Sequence, residues 1–262
     1  MSIVLRENDW AAMMVKGCTL GKKPSETLRR VARYYMDTCG TSPEATRKKL
    51  DLFLLQCDPT ASIPKWSAAL DYAVSRASKY PAICIDSLPI TDAEMKKIDS
   101  LEIKQHRRLA FTLLCLSKYW GMVTGKHDGW VNSKDNEIMA KANIRTSIKR
   151  QSAMYGTLNE LGMIQFSRKV DNTNVRVCFA EDGKEVMRIT DLRNLGYQYL
   201  MYHGEPYFTC QNCGITTKLC DSNNRSRQKY CPECASTIKM KKNIESVMRC
   251  RIRSLLNVGI QD

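Results

Sequence analysis

The amino-acid sequence predicts a mainly α-helical protein: an N-terminal helical domain over 1–100, a central domain over 101–200 in which three helices run into a β-hairpin, and a small cysteine-bound module over 201–262 that ends in a helix. Three observations predict it. Apolar residues recur at helical spacing through the first 160 or so positions, punctuated by capping residues and prolines. The period then changes from 3.6 to 2 after Gly162. Two C-x2-C pairs follow, with 17 residues between them.

In the first hundred residues, Ser25 is placed to cap a helix running to about Asp37, with Leu28, Val31, Ala32 and Tyr35 on one face and Gly40 ending it. Ser42-Pro43-Glu44 combines a cap, a proline at the first helical position and an acid in the first turn, and the helix reaches about Cys57 on Leu50, Phe53 and Leu54. Pro64 opens a third helix through about Lys79, packed by Trp66, Leu70, Tyr72 and Val74, and Pro81 closes it. Thr91-Asp92-Ala93-Glu94 has the form of a capping box. The basic cluster Lys22, Lys23, Arg29, Arg30 and Arg33 is expected to form a solvated face, because near-balanced acids surround it. No catalytic constellation occurs here, so protein contact or scaffolding is the expected role.

In the central domain, Ile103–Trp120 reads as a helix with Leu109, Leu113, Leu116 and Tyr119 on one stripe, followed by a loop over Gly121–Trp130. Ser133 is placed to cap a short helix, Lys134–Lys141, that buries Ile138 and Met139, and Asn143-Ile144 makes a tight turn. Thr146 or Ser147 caps the next helix, which runs to Leu161 with Ile148, Ser152, Tyr155, Leu158 and Leu161 as its stripe and Gly162 as its stop. Residues 163–166 and 175–179 then alternate, joined by the turn-forming Asp171-Asn172-Thr173-Asn174.

This order of helix, helix, helix and hairpin, with Leu161-Gly162-Met163-Ile164 carrying the third helix into the hairpin, resembles the winged helix-turn-helix family over residues 103–182. The resemblance implies that the third helix enters a DNA major groove by its N-terminal end. That end carries Arg145, Thr146, Ser147, Lys149, Arg150 and Gln151, cations for phosphate or guanine and polar groups for other base edges. The wing would hold the backbone or minor groove through Arg168, Lys169, Asn172, Asn174 and Arg176. No acid occurs from Lys141 through Asn159, which favours DNA over a winged helix that contacts only protein.

Cys210-Gln-Asn-Cys213 and Cys231-Pro-Glu-Cys234 form C-x2-C-x17-C-x2-C, a spacing that reads as a Zn2+ site. Four thiolates fill a tetrahedral ion and leave no position for water, so one structural Zn2+ is expected. Cys220 is an alternative ligand that lacks a knuckle around it. The segment Arg227-Gln-Lys-Tyr230 before C-P-x-C is similar to zinc-ribbon or treble-clef-like knuckles of bacteriophage and mobile-element proteins. Arg225, Arg227 and Lys229 in the intervening loop suit phosphate contact, and Tyr230 either stacks on a base or packs on the knuckle. The remainder reads as one amphipathic basic helix over about Ser236–Leu256, with Ile244, Val247, Met248, Ile252 and Leu255 as its stripe, suited to docking on this chain or to a homodimer.

Composition limits the function classes. The net charge is +14, and eleven of those surplus charges lie after residue 100, which points to an anionic partner. The longest apolar run, Leu109–Leu116, is too short to cross a bilayer, and the opening residues lack a secretory core, so a bacterial cytosol or nucleoid, or a phage-infected host, is the expected location. There disulfides are rare, which favours metal ligation for clustered cysteines. No D-x-D or comparable carboxylate pair sits in an evident loop, no glycine-rich phosphate loop occurs, and His106, His127 and His203 lack a nucleophile partner that the sequence can locate. The expectation is therefore a non-enzymatic, double-stranded DNA-binding regulator or replication factor of a bacteriophage or mobile element. The alternative is an interaction or inhibitor module acting on a host nucleoprotein complex.

Overall fold

The computed structural model describes residues 3–167, 174–220 and 228–258, with side chains through Cys250. It divides into two compact units interleaved along the chain: residues 1–97, 114–132 and 162–192 form the first, and residues 98–113, 133–161 and 193–262 the second. No helix among the described residues is long and apolar enough to cross a membrane.

The first unit is built on four helices, α1 (Glu7–Lys16), α2 (Pro24–Asp37), α3 (Pro43–Cys57) and α4 (Ile63–Lys79). Leu28, Val31 and Ala32 of α2, Leu50, Phe53 and Leu54 of α3, and Leu70 and Ala73 of α4 share one buried cluster. The proline-led start of α3 is as expected, with the Ser42 hydroxyl accepting from Ala45 N at 3.2 Å. That of α2 differs: Lys23 takes the capping position without a side-chain bond, Pro24 opens the helix, and Ser25 lies inside the first turn.

The basic cluster departs in part from a solvated face: Lys22 and Lys23, ahead of α2, are exposed as expected, but Arg30 and Arg33 on α2 are not. Arg30 and Arg33 are only 3% and 8% exposed, and both converge on the buried Glu7 of α1. Arg30 Nε lies 3.2 Å from Glu7 Oε1 and its Nη2 3.0 Å from Glu26 Oε1, while Arg33 Nη1 lies 2.6 Å from Glu7 Oε2. Glu7 Oε2 also accepts from Ile83 N at 3.1 Å. One carboxylate thus ties α1, α2 and the segment after α4 together. The Arg30 guanidinium faces the Trp10 ring at 5.0 Å. Burial, with the Glu7 charge nearby, pushes the Tyr119 phenol up to about 12.

Strand β1 (Leu88–Thr91) pairs antiparallel with β5 (Glu185–Ile189), Leu88 opposite Ile189. The capping box forms as the sequence predicts at the start of α5 (Asp92–Asp99): Thr91 N donates to Glu94 Oε2 at 2.9 Å and Glu94 N to Thr91 Oγ1 at 3.3 Å. Glu94 is fully buried and paired with Lys118 Nζ at 2.8 Å. Helix α6 (Lys104–Thr124) gives its residues through Leu113 to the second unit and those from Leu114 to the first. It runs four residues past Trp120 into the expected loop, and Gly125 with φ +68° follows its end. Strands β2 (Trp130–Val131), β3 (Ile164–Phe166) and β4 (Val175–Val177) form an antiparallel sheet in the order β2–β4–β3. The expected hairpin is β3 and β4; residues 168–173 of its connection lie outside the described residues.

The second unit contains α7 (Asp135–Lys141), α8 (Ile148–Glu160), α9 (Leu195–Tyr202), β6 (Tyr207–Thr209), β7 (Thr216–Lys218) and α10 (Pro232–Val258). Lys134, not Ser133, occupies the cap position of α7, with no side-chain bond. Ser147 caps α8, its hydroxyl accepting from Arg150 N at 3.4 Å. The buried face of α8 is Met154, Tyr155 and Leu158. Ile148 and Leu161, expected on that stripe, are 80% and 59% exposed because they sit at the two open ends of the helix. Tyr199 of α9 donates to Asp99 Oδ1 at 2.6 Å and packs its ring 5.5 Å from that of Phe111. Helix α10 starts at Pro232 rather than near Ser236, so Cys234 lies in its first turn.

Removing Glu7 takes the carboxylate from the buried Arg33 guanidinium and leaves Arg30 with Glu26. Glu7→Ala is expected to cost about 3–5 kcal/mol in urea unfolding, whereas Asp9→Ala, which breaks only the exposed pair with Arg6, is expected to cost less than about 1 kcal/mol.

Candidate metal centre and nucleic-acid interface

The cysteine cluster is assembled from a hairpin turn and a helix start. Strands β6 and β7 pair with Thr209 opposite Thr216, and the turn between them carries Cys210 and Cys213. Within that turn Cys210 N donates to Ile215 O at 2.9 Å and Gly214 N to Cys210 O at 2.9 Å. Gly214 holds φ +73°, a conformation that a residue with a Cβ rarely adopts. Cys231 precedes α10 and Cys234 lies in its first turn, where the helix dipole favours negative charge.

The four sulfurs all lie within 4.8 Å of one another, and those of Cys213 and Cys231 are 3.7 Å apart. A tetrahedral ion with bonds of about 2.3 Å places its sulfurs ~3.8 Å apart. The residues therefore fit a metal, and the cluster consists of the four knuckle cysteines. Cys220 is not in it; its N–H donates to Gln228 Oε1 at 2.7 Å. Cys231 N donates to Cys210 Sγ at 3.2 Å and Asn212 Nδ2 to Cys234 Sγ at 3.2 Å, bonds that suit thiolate acceptors. Burial raises the Cys210 thiol, but the backbone N–H groups of Cys231, Cys213 and Asn212 outweigh it and bring the thiol down to about 6. Burial pushes Cys213 the other way, to about 12.

A polar seam joins this module to the turn before α8. Asn143 and Asn194 both adopt the left-handed conformation, at φ 56° and 49°. Asn143 Nδ2 donates to Asn194 Oδ1 at 3.0 Å, its Oδ1 accepts from Tyr197 N at 3.2 Å, and Asn194 Nδ2 donates to Thr216 O at 2.9 Å on β7. Arg193 Nη2 donates to Cys213 O in the first knuckle. Gly196 lets α9 reach the turn, since a Cβ there would stand 2.0 Å from Ala142 O. The sequence marked Asn143 as a turn. It gave no sign of the Asn143–Asn194 pair, whose members are 51 residues apart.

The proposed nucleic-acid residues fall in both units. In the second unit, Arg145, Ser147, Lys149 and Arg150 are exposed at the start of α8, and Thr146 and Gln151 are half-buried. Ser147 is committed to capping and Gln151 Nε2 donates to Thr146 O at 3.1 Å, so Arg145, Lys149 and Arg150 carry the accessible charge. Lys229 is exposed, and its carbonyl accepts from Gln211 N at 3.0 Å beside the first knuckle. In the first unit, Arg176 lies on β4 with its Nε donating to Asp128 O at 2.9 Å, and Asn174 O accepts from Ser167 N at 3.1 Å. Arg168, Lys169, Asn172, Arg225 and Arg227 lie outside the described residues.

Comparison of the chain with protein-family models, with curated proteins and with solved structures finds no match.

Two measurements check this geometry. Gly196→Ala is expected to destabilise the protein by about 2 kcal/mol or more through its clash with Ala142 O. Gly156→Ala, inside α8 with open space at the Cβ, is expected to be neutral or stabilising by about 0.5 kcal/mol. In a metal titration, protons compete for the thiolates. The stability tied to the depressed Cys210 thiol is complete above its ordinary value near 9 and is lost as pH falls through about 6. Metal affinity is therefore expected to decline on acidification across that window.

Proposed function

We propose that this chain is a non-enzymatic, zinc-containing protein that binds double-stranded DNA through the start of α8, as a regulator or replication-associated factor of a bacteriophage or mobile element. The observation that carries the reading is the start of α8 itself: three accessible cations on a capped helix end, in a stretch from Lys141 through Asn159 without an acid. A helix end of this kind fits the width of the major groove and reads base edges with its first residues. The order α6, α7, α8, β3, β4 agrees with the winged-helix reading, and β2 adds a third strand beside β4. Zn2+ is the ion best matched to four convergent thiolates in a closed site, where it serves structure and not catalysis.

A second reading, contact with a host nucleoprotein complex, draws on α10. Met240, Ile244, Val247 and Met248 on that helix are 60%, 50%, 51% and 59% exposed, an apolar stripe suited to a protein partner. A pull-down from nuclease-treated lysate separates the two: loss of all partners supports the DNA reading, and retention of a defined protein complex supports the second.

The DNA reading predicts a steep salt dependence in fluorescence anisotropy with duplex DNA, each phosphate contact adding about 0.9 to the slope of log K against log salt. Changing Lys149 and Arg150 to Glu is expected to weaken binding by about a hundredfold or more while leaving the melting temperature unchanged. Unchanged affinity in that variant removes α8 as the reading helix. Metal analysis is expected to give one Zn2+ per chain, and Co2+ substitution the visible spectrum of a tetrahedral tetrathiolate; an octahedral spectrum contradicts the site.

A further inference from the structure

Beside the start of α8, the second unit carries a groove of about 880 Å3. Its walls include Gln105 and Arg108 from α6, Asn136 from α7, Arg145 and Gln151 at the start of α8, and Tyr197 from α9. Met139 and Ile144 supply apolar floor. Two arginines and several amides line it, and no aspartate or glutamate does. Such a lining suits a ligand that is anionic and rich in hydrogen-bond acceptors, and a cationic ligand would find no complement.

Arg108 is fixed for this work. Its Nη1 donates to Asn143 O at 3.1 Å, which anchors the guanidinium to the turn before α8, while its buried Nε has no partner. Gln105, Asn136 and Arg145 are exposed and line the groove. Tyr197 is held by its backbone N–H on Asn143 Oδ1 and by its ring 4.7 Å from that of Tyr207. The groove therefore has rigid walls set by the same Asn143 seam that sets the start of α8.

We infer that this groove seats the phosphate–sugar backbone of one DNA strand, so that Gln105, Arg108, Asn136 and Tyr197 position the duplex whose bases α8 reads. The inference rests on the DNA-binding reading of α8 and extends it to residues on three other helices. Contacts of this class fix register on the duplex without reading sequence. A free nucleotide shares the same chemistry as a ligand, and the experiment separates the two sources.

The test is fluorescence anisotropy of the zinc-loaded full chain with short duplexes of several unrelated sequences. Gln105→Glu and Asn136→Asp place a negative charge at the groove mouth on exposed side chains, and Gln56→Glu on α3 makes the same charge change in the first unit. The first two are expected to weaken binding about tenfold for every duplex alike, as loss of a backbone contact does, and Gln56→Glu to leave it unchanged. Ethylation interference on wild-type protein is expected to mark phosphates whose modification blocks binding, a result that does not depend on the variants folding. If the variants fold and bind like wild type while the Lys149 and Arg150 changes abolish binding, the groove proposal is wrong and the α8 reading stands. If wild-type protein shows no duplex affinity, both fall. If AMP alone perturbs the Asn136 amide resonance and the variants leave duplex affinity unchanged, the groove belongs to a free nucleotide and the strand seat is overturned.

Discussion

The pairing of Asn143 with Asn194 is the constraint on which the second unit depends. Two asparagines in left-handed conformation, each at the end of a helix or just before one, spend their side-chain amides on each other, on Tyr197 N and on Thr216 O. Asparagine tolerates that backbone conformation better than other residues with a Cβ because its short amide bonds locally. Gly196 removes the one Cβ that would keep α9 from the Ala142 carbonyl. The cysteine module, the turn before α8 and the start of α9 are thereby parts of one hydrogen-bonded structure, so that a metal ordering the module would also order the start of α8.

The first unit uses a different kind of anchor. Glu7 gathers Arg30, Arg33 and the backbone of Ile83, and Glu94 gathers Thr91, Lys118 and the backbone of Glu181. In both places a buried carboxylate is matched by cations and N–H donors, which is the condition under which a buried charge is tolerated. Both act as fasteners between segments of the first unit. Of the three cations on α2, Arg30 and Arg33 are therefore spent on internal pairs, whereas Arg145, Lys149 and Arg150 at the start of α8 are exposed.

Local signals in the sequence were legible where the structure depends on neighbours in the chain. The Ser42 cap before Pro43, the reciprocal Thr91–Glu94 box, the Gly162 stop at φ +70° and the two cysteine knuckles all form as the sequence predicts. What escaped is long-range. Arg30 and Arg33 read as solvent-facing because their partner Glu7 lies more than twenty residues away on another helix. Strand β2 has two residues, too few to show a period, and β1 pairs with β5 almost a hundred positions later. Helical spacing put Ile148 and Leu161 on the α8 stripe, but a stripe says nothing about where cover ends, and both residues lie at uncovered ends of the helix.

The most direct test of the account is amide hydrogen exchange in the second unit with and without metal. The amides of Asn143 and Ile144 bond to Ala140 O and Met139 O, and that of Tyr197 to both Asn194 O and Asn143 Oδ1, so they report the turn and the seam together. The account predicts that chelation, or Asn194→Ala in metal-loaded protein, accelerates exchange at all three as well as in the cysteine module. If chelation frees only residues 207–234 and leaves those three amides as protected as before, the metal module does not hold the turn that carries α8, and the account is contradicted.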